Sequence, residues 1–143
     1  MTTVYLLDTN IISHMMRETA GLAARRFTAI ARAGLDAKIC TSVVVQCELE
    51  FGLQRKPNQR LRAAYENIMP LLDVLPLSHQ ITEHYAQLRT HLEAKGTPIG
   101  PNDALIAAHA LSLDATLVSA DAEFMRVPGL KVENWLAAES TQN

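Results

Sequence analysis

Asp8 closes an apolar run, Val4-Tyr5-Leu6-Leu7, and is followed by Thr9-Asn10. The run is short and contains β-branched and aromatic residues, so it reads as a buried strand with Asp8 at its carboxyl end. Open α/β sheets place their ligand crevice at that end. Asp121 repeats the arrangement after Leu117-Val118-Ser119-Ala120. Taken singly, each of these acids is better explained as the N-cap of a following helix. Glu48 is more informative. On a helix through Val43 to Leu53, Val44, Cys47, Glu48 and Phe51 follow the i, i+3, i+4, i+7 spacing of one face. That spacing puts a carboxylate inside an apolar stripe, where it needs a cationic or hydrogen-bonding partner. Glu50 projects to another side, near Gln46, as a solvated acid. Asp103 shares a face with Ile106, Ala107 and Ala110, although a first-turn acid also complements a helix dipole.

Two acids at strand ends and two on apolar helix faces, with no evident buried base, call for a common partner. A hard divalent cation satisfies all four. Mg²⁺ and Mn²⁺ take oxygen ligands, keep several waters and bind through a few carboxylates plus substrate phosphate. Such an ion generates hydroxide near neutral pH and neutralises charge on a phosphodiester. Asn10 and Ser119, close in sequence to two of the acids, are candidates to hydrogen-bond ligands or waters around it. The residues therefore point to metal-assisted phosphoryl transfer and leave the substrate open.

The elements that must position these acids alternate. The spacing predicts strands at Val4–Leu7, Lys38–Thr41, Leu72–Leu75, Ala115–Val118 and Leu130–Val132. Between them it predicts a helix carrying Ile11, Ile12, Met15 and Met16, then helices over Ala20–Ala33 (stopped by Gly34) and Ser42–Arg55. A helix opened by Pro57 runs to Met69 and ends at Pro70. Another is capped by Ser78 and buries Ile81, Tyr85, Leu88 and Leu92, and the last is capped by Asn102 and covers Ala104–Leu113. Strands alternating with helices imply a short, mostly parallel sheet covered on both faces, an α/β/α sandwich. No repeat, linker or low-complexity tract divides the 143 residues, so a single domain over 1–143 is expected.

Composition narrows the class further. Apolar residues make up 48% and charged residues 20%, which is ordinary for a globular domain. Cys40 and Cys47 are too few for a disulfide framework and read as small core residues in a reducing compartment, with one bridge between them as the alternative. The N-terminal run lacks a basic flank and ends in an acid, unlike a signal peptide, and no run is long enough to cross a membrane. A cytoplasmic location is the expectation. A net charge of −2 is unusual for a plain nucleic-acid binder. Bound cations would offset it, and Arg25-Arg26, Arg32, Lys38, Arg55-Lys56, Arg60 and Arg62 could form local positive surface along a phosphate backbone.

The segments Leu6-Leu7-Asp8-Thr9-Asn10, Cys47-Glu48-Leu49-Glu50-Phe51-Gly52, Gly100-Pro101-Asn102-Asp103-Ala104-Leu105-Ile106, Leu117-Val118-Ser119-Ala120-Asp121 and Val132-Glu133-Asn134-Trp135 together resemble PIN-domain ribonucleases, and among them the VapC-type toxins. The order and spacing of the match span almost the whole chain. The resemblance implies a PIN-like α/β/α fold, with Asp8, Glu48 and Asp103 as metal-binding acids. Asp121 falls where the family has a fourth acid that some members replace, and Asn10 and Ser119 match the family's polar positions beside the site. It further implies Mg²⁺- or Mn²⁺-dependent hydrolysis of single-stranded or structured RNA, tRNA included, with translation arrest as the result. The expected assembly is a homodimer neutralised by a VapB-type antitoxin.

Two other readings compete. Asp8 as a phosphate-accepting nucleophile would want a second acid at position 10, where Asn10 stands. A catalytically silent module would keep the acids for metal or partner binding alone. Zinc chemistry is disfavoured: His84 and His91 are seven apart on one helix, and His109 reads as a structural histidine. The three Phe and three Tyr do not read as the stacking platform of a dedicated single-strand binder.

Overall fold

The computed structural model describes residues 2–34 and 36–137. Among them, β1 (Thr3–Leu7), β2 (Ala37–Ser42), β3 (Asp73–Leu75), β4 (Thr116–Val118) and β5 (Lys131–Glu133) form one sheet in the order β3-β2-β1-β4-β5. Every pairing is parallel, with Leu6 of β1 opposite Cys40 of β2 and Leu117 of β4. Parallel neighbours need crossovers. These are supplied by α1 (Thr9–Arg17), α2 (Leu22–Arg32), α3 (Val43–Arg55), α4 (Gln59–Ile68), α5 (Ile81–Ala94) and α6 (Pro101–Ser112). Successive strand residues point to opposite faces, yet Leu6 and Leu7 are both 0% exposed, as are Leu117 and Val118. Both faces are thus covered, which makes the three-layer α/β/α sandwich expected from the sequence.

The strand order determines where a site can form. From β1 the chain builds outward to β2 and β3, then crosses back to the other side of β1 for β4 and β5. The direction reverses between β1 and β4, and an open α/β sheet has its crevice at the carboxyl ends of the strands flanking that point. Asp8 follows β1 directly, and Asp121 lies three residues beyond β4.

Local stop and start signals differ from the sequence expectations in four places. The last helix is capped by Gly100 with Pro101 at its first position, so Asn102 lies inside the first turn and is not the cap. Ser78 closes a turn ahead of α5: its hydroxyl accepts from the Gln80 N–H (3.3 Å) and its carbonyl from the Ile81 N–H (3.2 Å). Asn58, not Pro57, caps α4, with its side chain accepting from the Leu61 N–H at 3.0 Å. Pro70 does not end the chain's coiling, because a 3-10 turn at Met69–Leu71 contains it. Gly34 does end α2, in the left-handed conformation (φ +64°) that favours glycine.

The core side of α3 also differs. Val44, Val45, Leu49 and Leu53 are buried, whereas Phe51 is 65% exposed and Cys47 faces solvent. The stripe Val44-Cys47-Glu48-Phe51 is therefore not the core face, and Cys47 is not a core residue. Cys40 is. On the open side of α3, a Cβ added at Gly52 meets nothing within 4 Å. Gly52→Ala is accordingly expected to stabilise the protein by about 0.5–1 kcal/mol through helix propensity. A rise of a few degrees in Tm would agree, and a fall would show that the open side is less free than it looks.

Candidate active site

Asp8 is 4% exposed, and each oxygen of its carboxylate is held. Oδ1 accepts the Thr9 backbone N–H at 2.8 Å, so Asp8 is indeed the N-cap of α1. Oδ2 accepts the Ser119 hydroxyl at 2.7 Å and the Asn10 amide at 3.3 Å. The Asp8 N–H donates to the Val118 carbonyl (2.9 Å), fastening the end of β1 to β4. Asn10 extends the link: its amide also donates to Ser119 Oγ (3.2 Å), and its Oδ1 accepts the Ala120 N–H (3.1 Å). Ser119 Oγ in turn accepts the Asp121 N–H at 3.0 Å. Asn10 and Ser119 thus fix the acids that follow β1 and β4 relative to one another.

The remaining acids arrive from helices. Glu48, half-buried near the middle of α3, accepts the Thr9 hydroxyl at 2.8 Å through Oε1. Thr9 therefore touches both ends of the site, its N–H on Asp8 and its hydroxyl on Glu48. Asp103 stands in the first turn of α6. Asp121 caps the 3-10 turn Ala122–Arg126, accepting the Glu123 N–H at 2.9 Å. Asp103, Asp121 and Glu123 each present an oxygen within 4.8 Å of the others. Glu50 points elsewhere, as expected, but is not simply solvated: Arg62 donates to both its oxygens at 3.0 and 3.1 Å.

The electrostatics of the cluster are unfavourable without a cation. Burial, followed by the charges of Asp8, Asp121, Glu48 and Glu123, raises the Asp103 carboxyl from an ordinary 3.8 to about 6. Burial also raises Asp8, against the lowering effect of its hydrogen bonds from Ser119 and Thr9. Among the described residues, no lysine, arginine or histidine pairs with any of the five acids. An all-oxygen, anionic donor set of this kind fits a hard divalent ion. His109 takes no part: it is buried, its Nδ1 lies 2.8 Å from Ser42 Oγ, and burial lowers its pKa.

The sign of the Asp103 shift gives an expected result. Its folded pKa lies above its unfolded one, so between about pH 4 and 6 the folded chain holds a proton that the unfolded chain releases. This group's contribution is most favourable below that window and is lost as the pH rises through it. In EDTA, the Tm difference between wild type and Asp103→Asn should therefore widen in the variant's favour as the pH rises from 4 to 7. A difference independent of pH would contradict the shift.

Sequence reading found Asp8, Glu48, Asp103 and Asp121, and all four converge. It missed Thr9 and Glu123. Thr9 carries no sequence signal beyond its place after the strand end, and Glu123 lies in a 3-10 turn without periodicity.

Comparison with known proteins gives a consistent neighbourhood. A family profile described as PIN domain matches residues 5–130. Ribonuclease VapC2 of Rickettsia felis is 34% identical over 134 residues, covering 92% of this chain and 98% of that protein. The tRNA(fMet)-specific endonuclease VapC of Salmonella typhimurium is 32% identical over 134 residues, covering 92% and 97%. Among solved structures, that of Rickettsia felis VapBC2 bound to a DNA fragment from their promoter superposes with a TM-score of 0.85 at 33% identity, covering 93% of this chain and 99% of that one.

Proposed function

The chain belongs to the PIN domain family, and from that premise we propose that it is a divalent-metal-dependent endoribonuclease whose Asp8, Glu48, Asp103 and Asp121 hold Mg²⁺ or Mn²⁺, joined by Glu123. The observation that carries the reading is the convergence of these acids at the point where the sheet order reverses, with no protein cation beside them among the described residues. When bound, the ion supplies hydroxide near neutral pH and offsets charge that builds on the phosphodiester. The protein's part is positioning. Thr9, Asn10 and Ser119 hold Asp8 and Glu48 in fixed orientations, so that little reorganisation is needed as charge develops. Phosphoryl transfer of this kind needs no side-chain nucleophile. Asp8 is poorly suited to be one, since Asn10 and Ser119 already occupy its Oδ2.

In this reading the substrate is RNA, with tRNA the favoured class, and the protein acts as a translation-arresting toxin in the cytoplasm. It forms a homodimer neutralised by a VapB-type antitoxin. The name of the Salmonella typhimurium relative, a tRNA(fMet)-specific endonuclease, supports the tRNA class, and the Rickettsia felis VapBC2 structure supports a VapB-type partner. Among the described residues, no helix is long and apolar enough to cross a membrane.

The test is incubation of the purified, antitoxin-free protein with total cellular RNA in Mg²⁺, followed by sequencing of the new ends. Discrete cuts within tRNA are expected. Cuts spread over all RNAs would retain the nuclease and remove the tRNA assignment. Intact RNA with metal binding confirmed would favour a silent binding module.

A further inference from the structure

The outer side of α3 carries an arrangement the acid cluster does not use. Phe51 is 65% exposed, and the Arg55 guanidinium lies over its ring, 5.5 Å from the centroid. At about 100° per residue, Phe51 and Arg55 fall within roughly 60° of Glu48 around the helix. They follow it by about 4.5 and 10.5 Å along the axis. The line Glu48-Phe51-Arg55 therefore leads from the acid cluster along one helix face. Cys47, Gly52 and Lys56 beside it are exposed, so the face has one ring, two cations and no apolar surround. Among the described residues, neither Arg55 nor Lys56 forms an ion pair.

We propose that Phe51 and Arg55 form a base-stacking and phosphate-contacting subsite that holds the RNA strand next to the cleavage centre. This rests on the ribonuclease reading. The chemistry favours RNA over a second protein chain as the occupant. A largely exposed ring that carries a guanidinium offers stacking to any base, and the cation meets the backbone. A stable protein contact buries about 800 Å² per partner around an apolar centre, which one ring amid polar neighbours does not provide. A single ring of this kind is compatible with the sequence expectation that the three Phe and three Tyr do not form the stacking platform of a dedicated single-strand binder.

The test uses Asp103→Asn as a non-cleaving background, with a short fluorescein-labelled single-stranded RNA of mixed sequence as the probe. Phe51→Ala should weaken binding roughly 5- to 100-fold. Phe51→Trp should retain it and show fluorescence quenching on RNA addition, since Trp135 is only 4% exposed. Arg55→Ala should lower the slope of log affinity against log salt by about 0.7. In the cleaving protein, Phe51→Ala should raise KM and leave kcat nearly unchanged. Unaltered affinity in Phe51→Ala, beside normal wild-type cleavage, would overturn the subsite alone. A changed mass by light scattering would assign the ring to a contact between copies and overturn it as well. Absence of both RNA binding and cleavage in wild type would overturn the ribonuclease reading, and this subsite with it.

Discussion

Asp103→Asn is expected to lower metal-dependent RNA cleavage by at least about 10²–10³-fold while making the metal-free protein more stable at neutral pH. The two effects share one cause. Burial, followed by the charges of Asp8, Asp121, Glu48 and Glu123, lifts the Asp103 carboxyl to about 6. Without a cation, its charge at pH 7 is a cost to the fold, which the isosteric amide removes. With a cation, the same charge is the attraction that the amide lacks. A residue kept only for architecture would give the opposite result, losing stability and sparing activity in proportion to the folded fraction. Thermal melts in EDTA and initial cleavage rates in Mg²⁺, on the same preparations, distinguish the two. Loss of both stability and activity would mean that Asp103 is structural.

Ser119→Ala is the second large effect, and it tests how the site is held. The Ser119 hydroxyl donates to Asp8 and accepts the Asp121 N–H, while Asn10 reaches the same oxygen. Removing it leaves Asp8 Oδ2 with only the longer Asn10 contact and takes the acceptor from the Asp121 N–H, so that Asn10 alone links the loop after β4 to the end of β1 by side-chain bonds. Groups that orient metal ligands typically matter by 10–100-fold in affinity or activity, and a fall of about that size in Mn²⁺ affinity is expected here. The strand pairing itself should survive, since the Asp8 N–H to Val118 carbonyl bond does not involve the hydroxyl. Unchanged metal affinity in a folded Ser119→Ala protein would show that Asp8 is adequately fixed by Thr9 and Asn10.

Much of this was legible from residue types. The strand at Val4–Leu7 and the acid closing it declare themselves because a parallel strand buried on both faces is a short uninterrupted apolar run. The same logic locates β4 and Asp121, and once the order reverses between these strands the two acids must meet. Asp103 was visible because α6 is apolar nearly all round, so an acid near its start has few ways to reach water. Glu48 was singled out for the wrong reason. The residues of α3 offer two overlapping stripes, Val44-Cys47-Phe51 and Val45-Leu49-Leu53, and spacing alone does not say which one meets the core. The second does, and Glu48 lies at its border, where it reaches Thr9. Phe51 is consequently free for the role proposed above. Helix starts were read less well, because Asn102 and Ser78 are good caps in isolation but Pro101 and the Ser78 turn set the geometry first. Glu123 could not be found by periodicity, since a 3-10 turn after a strand follows no face.

The most direct measurement is Mn²⁺ binding by wild type and Asp103→Asn, followed by electron paramagnetic resonance, with RNA cleavage assayed in the same samples. The expected result is that wild type binds the ion and cuts, that EDTA abolishes both, and that the variant loses both together without unfolding. RNA cleavage that persists in EDTA, or a variant that cuts at the wild-type rate after losing the ion, would contradict a metal-dependent nuclease built on these acids.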